Sequence, residues 1–325
     1  MEILFDEIPS LDLADFTAGS PEKKAEFVRK LGEAYQNIGF VAIKNHGLSK
    51  ALQDRLYSSI TTFFSLPDAV KAQYEKPEIG YQRGYTGKGK EHAKGRNTGD
   101  LKEFYHVGQD LGDIPDADPI KAEYPENCWP QELPQFKDDA LEAYRTLENA
   151  GRQMLRAIAL NLGLKEDYFE EKVIHGNSIL RQIHYFPIEN PDEVPADAVR
   201  AAEHGDINLI TLLMGASADG LQVLRRDGKW IPITALPDQL VVNVGDMLER
   251  LTNKKLKSTI HRVVNPPREK MHTSRYSIPF FMHPRSEMDL SCLESCITEA
   301  SPKHFPDITA GEFLEERLRE LGLRK

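Results

Sequence analysis

Among ten histidines, only His204 opens a His-x-Asp/Glu pattern, His204-Gly205-Asp206. On a strand, residues i and i+2 project from the same face, so this imidazole and this carboxylate would converge on one point. A third ligand is needed, and His261, inside the strand-like run Ser258–Val264, is the best candidate. Two histidines and one carboxylate on one face of a metal leave three positions open, the donor set of non-haem Fe(II) centres that handle O2. Arg275-Tyr276-Ser277 is the single Arg-x-Ser in the chain and falls on the next strand-like run. There Arg275 and Ser277 would share a face, and a guanidinium fork beside a hydroxyl suits a bidentate grip on a carboxylate. Taken singly, a strand histidine or an arginine is ordinarily structural. The order of the three elements, each on a strand, points to a metal centre with an adjoining carboxylate site.

These residues need a scaffold. The chain has 325 residues, 40% hydrophobic and 28% charged, an ordinary globular composition. Ser20 and Pro21 open a helix that runs to Gly39, with Val28, Leu31, Ala34, Tyr35 and Ile38 at helical spacing. Phe40–Ile43 reads as a short buried strand. Helices are expected over 49–64 and 67–74, a loop from Gly80 to Gly99, an irregular proline-rich connection over 110–134, and a long helix over 135–162. After Asn177 come short segments rich in branched and aromatic residues: Ile179–Phe186, Ile207–Met214, Leu221–Leu224, Trp230–Ile233, Gln239–Val244, Thr259–Val264 and Arg275–Met282. Turn signals such as Asp227-Gly228 and Asn265-Pro266-Pro267 separate them. Many short strands at such spacing indicate a mainly β fold with flanking helices, a sandwich or jelly roll. A closing helix is expected over Ala310–Leu321. The expected organisation is an N-terminal helical and mixed region (1–134), a connecting helix (135–176), a jelly-roll core (177–285) and a C-terminal tail with its helix (286–325).

The net charge of -10 lacks the basic footprint of a nucleic-acid or anionic-membrane binder, so neither partner is expected. Cys128, Cys292 and Cys296 read as reduced thiols. The start, MEILFDEIPS, has neither the positive charge nor the apolar segment of a secretory signal. No apolar run is long enough for a membrane helix. A cytoplasmic protein with no evident obligate protein partner is expected.

The segments LGEAYQNIGFVAIKNHGL, GYQRGYTGKGKEHAKG, EHGDINLITLLM, GLQVLRRDGKWIPI, VVNVGDMLERLTN, KSTIHRVVNPP and RYSIPFF resemble the isopenicillin N synthase-like Fe(II)/2-oxoglutarate-dependent oxygenases over nearly the whole chain. The resemblance implies a double-stranded β-helix, a distorted jelly roll. It implies that His204, Asp206 and His261 hold Fe(II). Arg275 and Ser277 would bind the distal carboxylate of 2-oxoglutarate, and O2 would be the second co-substrate. Asn243 would face the core beside the metal centre. A small-molecule substrate would be hydroxylated, desaturated or cyclised as 2-oxoglutarate is converted to succinate and CO2. Two rival readings are an Fe(II) oxidase that does without 2-oxoglutarate, and a non-catalytic jelly-roll sensor of small carboxylates.

The sequence also departs from the family pattern. Many plant members carry Asn-Tyr-Tyr-Pro on the strand leading into the core, and the second tyrosine helps hold the co-substrate. Here the run is His184-Tyr185-Phe186-Pro187. Aligned on the proline, Phe186 replaces that tyrosine and His184 replaces the asparagine. His184 is therefore expected in the co-substrate pocket, and Tyr185 on the opposite face. Isopenicillin N synthase has an arginine where this chain has Gln82, which argues against the same peptide substrate. Arg83, Tyr85, Lys102 and Phe104 are the expected substrate contacts, with His106 on the same face as the last two. Lys88, Glu91, His92 and Lys94 belong to a loop that lies near the mouth of the site in the family.

Overall fold

The periodic segments fold much as their spacing requires. The computed structural model describes residues 4–90, 102–188, 190, 199–215, 220–233, 236 and 238–320. Strand β1 (Ser10–Asp12) lies parallel to β2 (Phe40–Lys44). Between them run α1 (Leu13–Thr17) and α2 (Pro21–Asn37), and the Ser20 hydroxyl caps α2 by accepting from the Lys23 amide at 3.4 Å. Gly39 turns α2 into β2 at φ +74°, with the Lys257 carbonyl oxygen 2.2 Å from where a Cβ would stand. Only glycine tolerates both the backbone angle and the approach. Next come α3 (Lys50–Phe64), α4 (Asp68–Lys71), β3 (Gly84–Thr86) and β4 (Lys102–Gly108). Helix α5 (Phe136–Asn161) has 26 residues and is about 39 Å long. Its stripe of Leu141, Tyr144, Leu147, Met154, Leu155 and Ile158 is buried in the main core.

After α6 (Glu170–Val173) the chain lays down β5 (Ile179–Tyr185), β6 (Ala201–His204), β7 (Ile210–Met214), β8 (Leu221–Leu224), β9 (Trp230–Pro232), β10 (Leu240–Val244), α7 (Asp246–Leu251), β11 (His261–Val263), β12 (Arg275–Met282) and α8 (Ala310–Glu320). The strands form an eight-stranded sheet, β1-β2-β10-β7-β12-β5-β4-β3, and a four-stranded sheet, β6-β11-β8-β9. A second core joins the two sheets through Phe40, Ile183, Tyr185, Leu221, Val223, Val241 and Val263. This is the double-stranded β-helix with flanking helices.

Several elements differ from the expectation. The Gly80–Gly99 segment contains β3, and its later part, with Glu91, His92 and Lys94, lies outside the described residues. Strands β1 to β4, within the region 1–134, extend the large sheet. Strand β6 escapes notice because Ala-Ala-Glu-His has little strand propensity. Helix α7 follows β10 almost directly, where the sequence pattern predicts no element.

Cross-strand pairing arranges the inner face of the large sheet in rows. Lys102, Tyr185 and Arg275 form one row, and Phe104, Ile183 and Ser277 the next. His106 and Arg181 follow, then Ile179, Phe281, Thr211 and Asn243. Residues two apart on a strand share a face, so these rows look into one interior.

Candidate active site

His204 closes β6, His261 opens β11, and the two pair across the small sheet. Their ring centroids are 4.4 Å apart, and Phe40 packs edge-on against His261 at 5.6 Å. Asp206 lies beyond the end of β6, so it reaches the centre from a loop and not through strand alternation. One donor atom from each of the three residues lies within 4.8 Å of the others. His261 Nε2 is 3.7 Å from Asp206 Oδ1.

The surroundings orient each donor. His204 Nδ1 donates to the Ala202 carbonyl at 2.7 Å, and His261 Nδ1 to the Thr259 carbonyl at 3.1 Å. Both Nε2 lone pairs are thereby left for the common point. Asp206 Oδ2 accepts from Thr211 Oγ1 and from Asn243 Nδ2, both at 2.7 Å, leaving Oδ1 for that point. The Asp246 amide donates to the Asp206 carbonyl at 2.7 Å and fixes the loop. His204 has an edge open to the cavity, but protein packed around it on the other sides desolvates its cation. That burial pulls His204 down to about 4, and the neighbouring His261 adds to this, so its imidazole is neutral at ordinary pH. Burial pushes Asp206 up, but the two imidazoles and the bonds from Asn243 and Thr211 outweigh it and hold the carboxyl below its usual range. Two imidazole nitrogens and one carboxylate oxygen are the donor set that suits Fe(II).

Arg275 and Ser277 project from β12 into the same interior, both buried. Tyr185 is the cross-strand partner of Arg275, whose guanidinium carbon sits 4.9 Å from the tyrosine ring centre. This corrects the placing of His184. His184 points to the outer face, stacked on Tyr276 with centroids 4.8 Å apart. Its Nδ1 donates to Glu103 Oε1 at 2.7 Å, and Ser274 Oγ lies 2.9 Å from its Nε2. Alignment on Pro187 puts the motif one residue out of phase, so Tyr185, and not Phe186, lies beside Arg275.

A cavity of about 520 Å3 opens beside His204 and Asp206. Lys102, Phe104, His106, Ile179, Arg181, Phe281 and His283 line it, and α8 contributes Leu314, Arg317 and Leu318. The Arg181 guanidinium lies between the rings of Phe104 and Phe281, 4.3 and 5.3 Å from their centres. Its Nε donates to His106 Nε2 at 2.7 Å, and His106 Nδ1 donates to the Tyr81 carbonyl at 2.9 Å.

Lys102 and Phe104 thus line the cavity, whereas Arg83 and Tyr85 do not. Arg83 is fully buried and packs flat on Gly108, where a Cβ would come within 1.9 Å of its Cζ. Burial lowers it to about 10. Tyr85 turns to the outer face and donates to Glu103 Oε2 at 2.5 Å. Lys71 donates to the same oxygen at 2.9 Å. Burial pushes Glu103 up, but the bonds from His184, Lys71 and Tyr85 hold it below the usual range.

Comparison with known proteins bears directly on this arrangement. Residues 8–132 match the family described as non-haem dioxygenase in morphine synthesis N-terminal, and residues 176–284 match the 2OG-Fe(II) oxygenase superfamily. The chain belongs to the 2OG-Fe(II) oxygenase superfamily. The oxygenase is 32% identical to the 2-oxoglutarate-Fe(II) type oxidoreductase ppzD of Metarhizium rileyi, over 96% of this chain and 90% of that one. It shares 43% identity and a TM-score of 0.85 with a 2OG-Fe(II) oxygenase family protein from Caulobacter crescentus, covering 96% of this chain and 98% of that one. A full-length Neurospora crassa protein solved in complex with alpha-KG is 30% identical, with a TM-score of 0.84 and coverage of 96% of this chain and 95% of that one. The oxygenase is therefore a non-haem Fe(II)- and 2-oxoglutarate-dependent dioxygenase of a family that acts on small molecules. Relatives named for 2-oxoglutarate favour neither the 2-oxoglutarate-independent oxidase nor the carboxylate sensor. Among the described residues, no helix is long and apolar enough to cross a membrane.

Sequence reasoning did not single out Tyr185, Thr211, Arg181, Phe281 or His283. Continuing the two-residue alternation from Arg275 and Ser277 reaches Phe281, and that signal was available. His283, which burial lowers to about 4, follows the end of β12 and continues that alternation past the strand.

Proposed function

We propose that the oxygenase hydroxylates a small molecule held in the cavity beside His106, Arg181 and Phe281, with desaturation or ring closure as variants of the same chemistry. His204, Asp206 and His261 serve as the Fe(II) ligands. Arg275, Ser277 and the Tyr185 hydroxyl grip the distal carboxylate of 2-oxoglutarate. Fe(II), when bound, supplies the redox chemistry that couples loss of CO2 from 2-oxoglutarate to oxidation of a substrate C–H bond. The reaction balances as substrate, 2-oxoglutarate and O2 giving hydroxylated substrate, succinate and CO2.

The protein's share is orientation and shielding. Thr211 and Asn243 hold Oδ2 of Asp206 so that Oδ1 faces the metal position. Arg275 neutralises a carboxylate inside the barrel. Phe104, Ile179 and Phe281 keep the reacting carbon away from bulk water. The observation that carries this reading is the convergence of the His204–Asp206–His261 cluster and the Arg275 row on one interior. We read 177–285 as the catalytic core, 1–134 and 135–176 as its extension and spine, 286–325 as the tail and helix at the cavity mouth, and the cytoplasm as the working compartment.

Anaerobic addition of Fe(II) and 2-oxoglutarate should give a weak visible charge-transfer band. The band should vanish in Asp206→Ala and need far more 2-oxoglutarate in Arg275→Ala. Survival of the band in Asp206→Ala would remove the ligand assignment. Succinate release across a small-molecule library then identifies the substrate.

A further inference from the structure

We propose that Arg200 is a second cationic grip on the distal carboxylate of 2-oxoglutarate, acting opposite Arg275. The inference rests on the reading of Arg275 and Ser277 as the carboxylate site. Arg200 immediately precedes β6, the strand that carries His204, and has no exposed surface. Its Nη2 donates to the Thr273 carbonyl at 2.6 Å, two residues before Arg275. Its Nε and Nη1 are buried and make no hydrogen bond. After burial itself, the charges that act on Arg200 are those of Arg275, which repels it, and Tyr185. Among the described residues, no carboxylate forms an ion pair with Arg200.

A buried guanidinium with two unused donors, next to a like charge, is costly unless an anion completes it. The co-substrate delivers such an anion to this end of the barrel. A carboxylate offers about four lone-pair sites. One donor each from Arg275, through its buried Nη1, Ser277 and Tyr185 uses three of them, which leaves one for Arg200. Two neighbouring cations also give the pocket a means of selection. A 2-oxo acid without a distal carboxylate would leave the two buried Arg200 donors unused beside a like charge, so discrimination arises from a penalty on the wrong ligand as well as from contacts to the right one.

The test uses the full chain loaded with Fe(II) under anaerobic conditions. The visible band is titrated with 2-oxoglutarate and with 2-oxovalerate, which has a methyl group in place of the distal carboxylate. Arg200→Met should weaken 2-oxoglutarate by about 10- to 100-fold, the loss expected for charge-assisted hydrogen bonds. Binding of 2-oxovalerate should stay within about threefold, so the preference for the dicarboxylate shrinks. Arg200→Lys, which keeps the charge without the fork, should give an intermediate preference and covers the case in which the methionine variant fails to fold. If Arg200→Met weakens both keto acids equally, or if either variant keeps the full preference while Arg275→Met loses it, Arg200 is only structural. If Arg275→Met also keeps the preference, the carboxylate site itself is misassigned.

Discussion

Removing the donors behind Asp206 should loosen the metal without touching a ligand. Asp206 is only 7% exposed, and its Oδ2 depends on two hydrogen bonds of 2.7 Å, from Thr211 and Asn243. Hydrogen bonds to a charged acceptor are worth about 1.5–3 kcal/mol, and part of that is already realised before the metal binds. Loss of such an outer partner typically lowers metal affinity about 10- to 100-fold. Thr211→Val and Asn243→Ala should each fall near the lower end, because one donor remains. The double variant should lose about 100-fold or more, because Oδ2 is then buried with neither donor and protons compete better for the carboxylate. Thr211→Val is nearly isosteric; it removes a 3.2 Å donor from Asn208 Oδ1, while Asn208 Nδ2 keeps its 2.7 Å bond to the Ile210 carbonyl. Anaerobic competition for Fe(II) against a coloured chelator measures the effect, with the melting temperature of the metal-free protein as the control for folding. A double variant that folds normally and binds Fe(II) within about threefold of the parent would refute the reasoning.

Other outcomes follow from the same geometry. Tyr185→Phe should raise KM for 2-oxoglutarate about tenfold, the worth of one hydrogen bond to a carboxylate, with little change in kcat by succinate assay; an unchanged KM removes the hydroxyl from the grip. His184→Phe, on the outer face, should lower the melting temperature and leave that KM within about twofold; a large rise in KM would return His184 to the pocket. Glu103→Gln removes the buried counter-charge of Lys71 and should cost about 3–5 kcal/mol in denaturant unfolding, with Fe(II) affinity intact. Burial raises Glu148 on α5 to about 7. The native state therefore holds a proton that the unfolded chain releases near its ordinary pKa of about 4.3. That contribution is full below about pH 4 and lost as pH rises to about 7, so Glu148→Gln should flatten the fall in stability by at most about 4 kcal/mol. Melting curves of variant and parent at about pH 5 and pH 8 that shift in parallel would contradict it.

The metal cluster was legible because its residue types are rare in combination and because His204 and His261 do sit on paired strands. Lys102 and Phe104 were legible from alternation along β4, and Asn243 from the family resemblance, since β4 and β10 run without interruption. The phase of β5 was not legible. Nothing in His184-Tyr185-Phe186-Pro187 states which residue faces inward, and the pairing of Tyr185 with Arg275 is a long-range fact. Arg83 misled for a related reason. Its neighbours on the chain line the cavity, but the open backbone of Gly108 gives its guanidinium a berth elsewhere. Strand β6 and Arg200 were hidden by a local sequence with no strand signal, which takes its shape from pairing with β11.

The rows across the large sheet have a meaning for descent. The row of Lys102, Tyr185 and Arg275 and the row of Ile179 and Phe281 are six residues apart on the same strands, a separation of about 20 Å. On the proposed reading, one end of the ladder meets an unvarying reagent and the other meets whatever is to be oxidised. Mutations at Ile179 and Phe281 can therefore drift, and be selected for a new reactant, while the reagent's anchorage and the Thr211 and Asn243 donors of the same row stay untouched. On this plan a lineage diversifies by redecorating a few rungs of a shared frame.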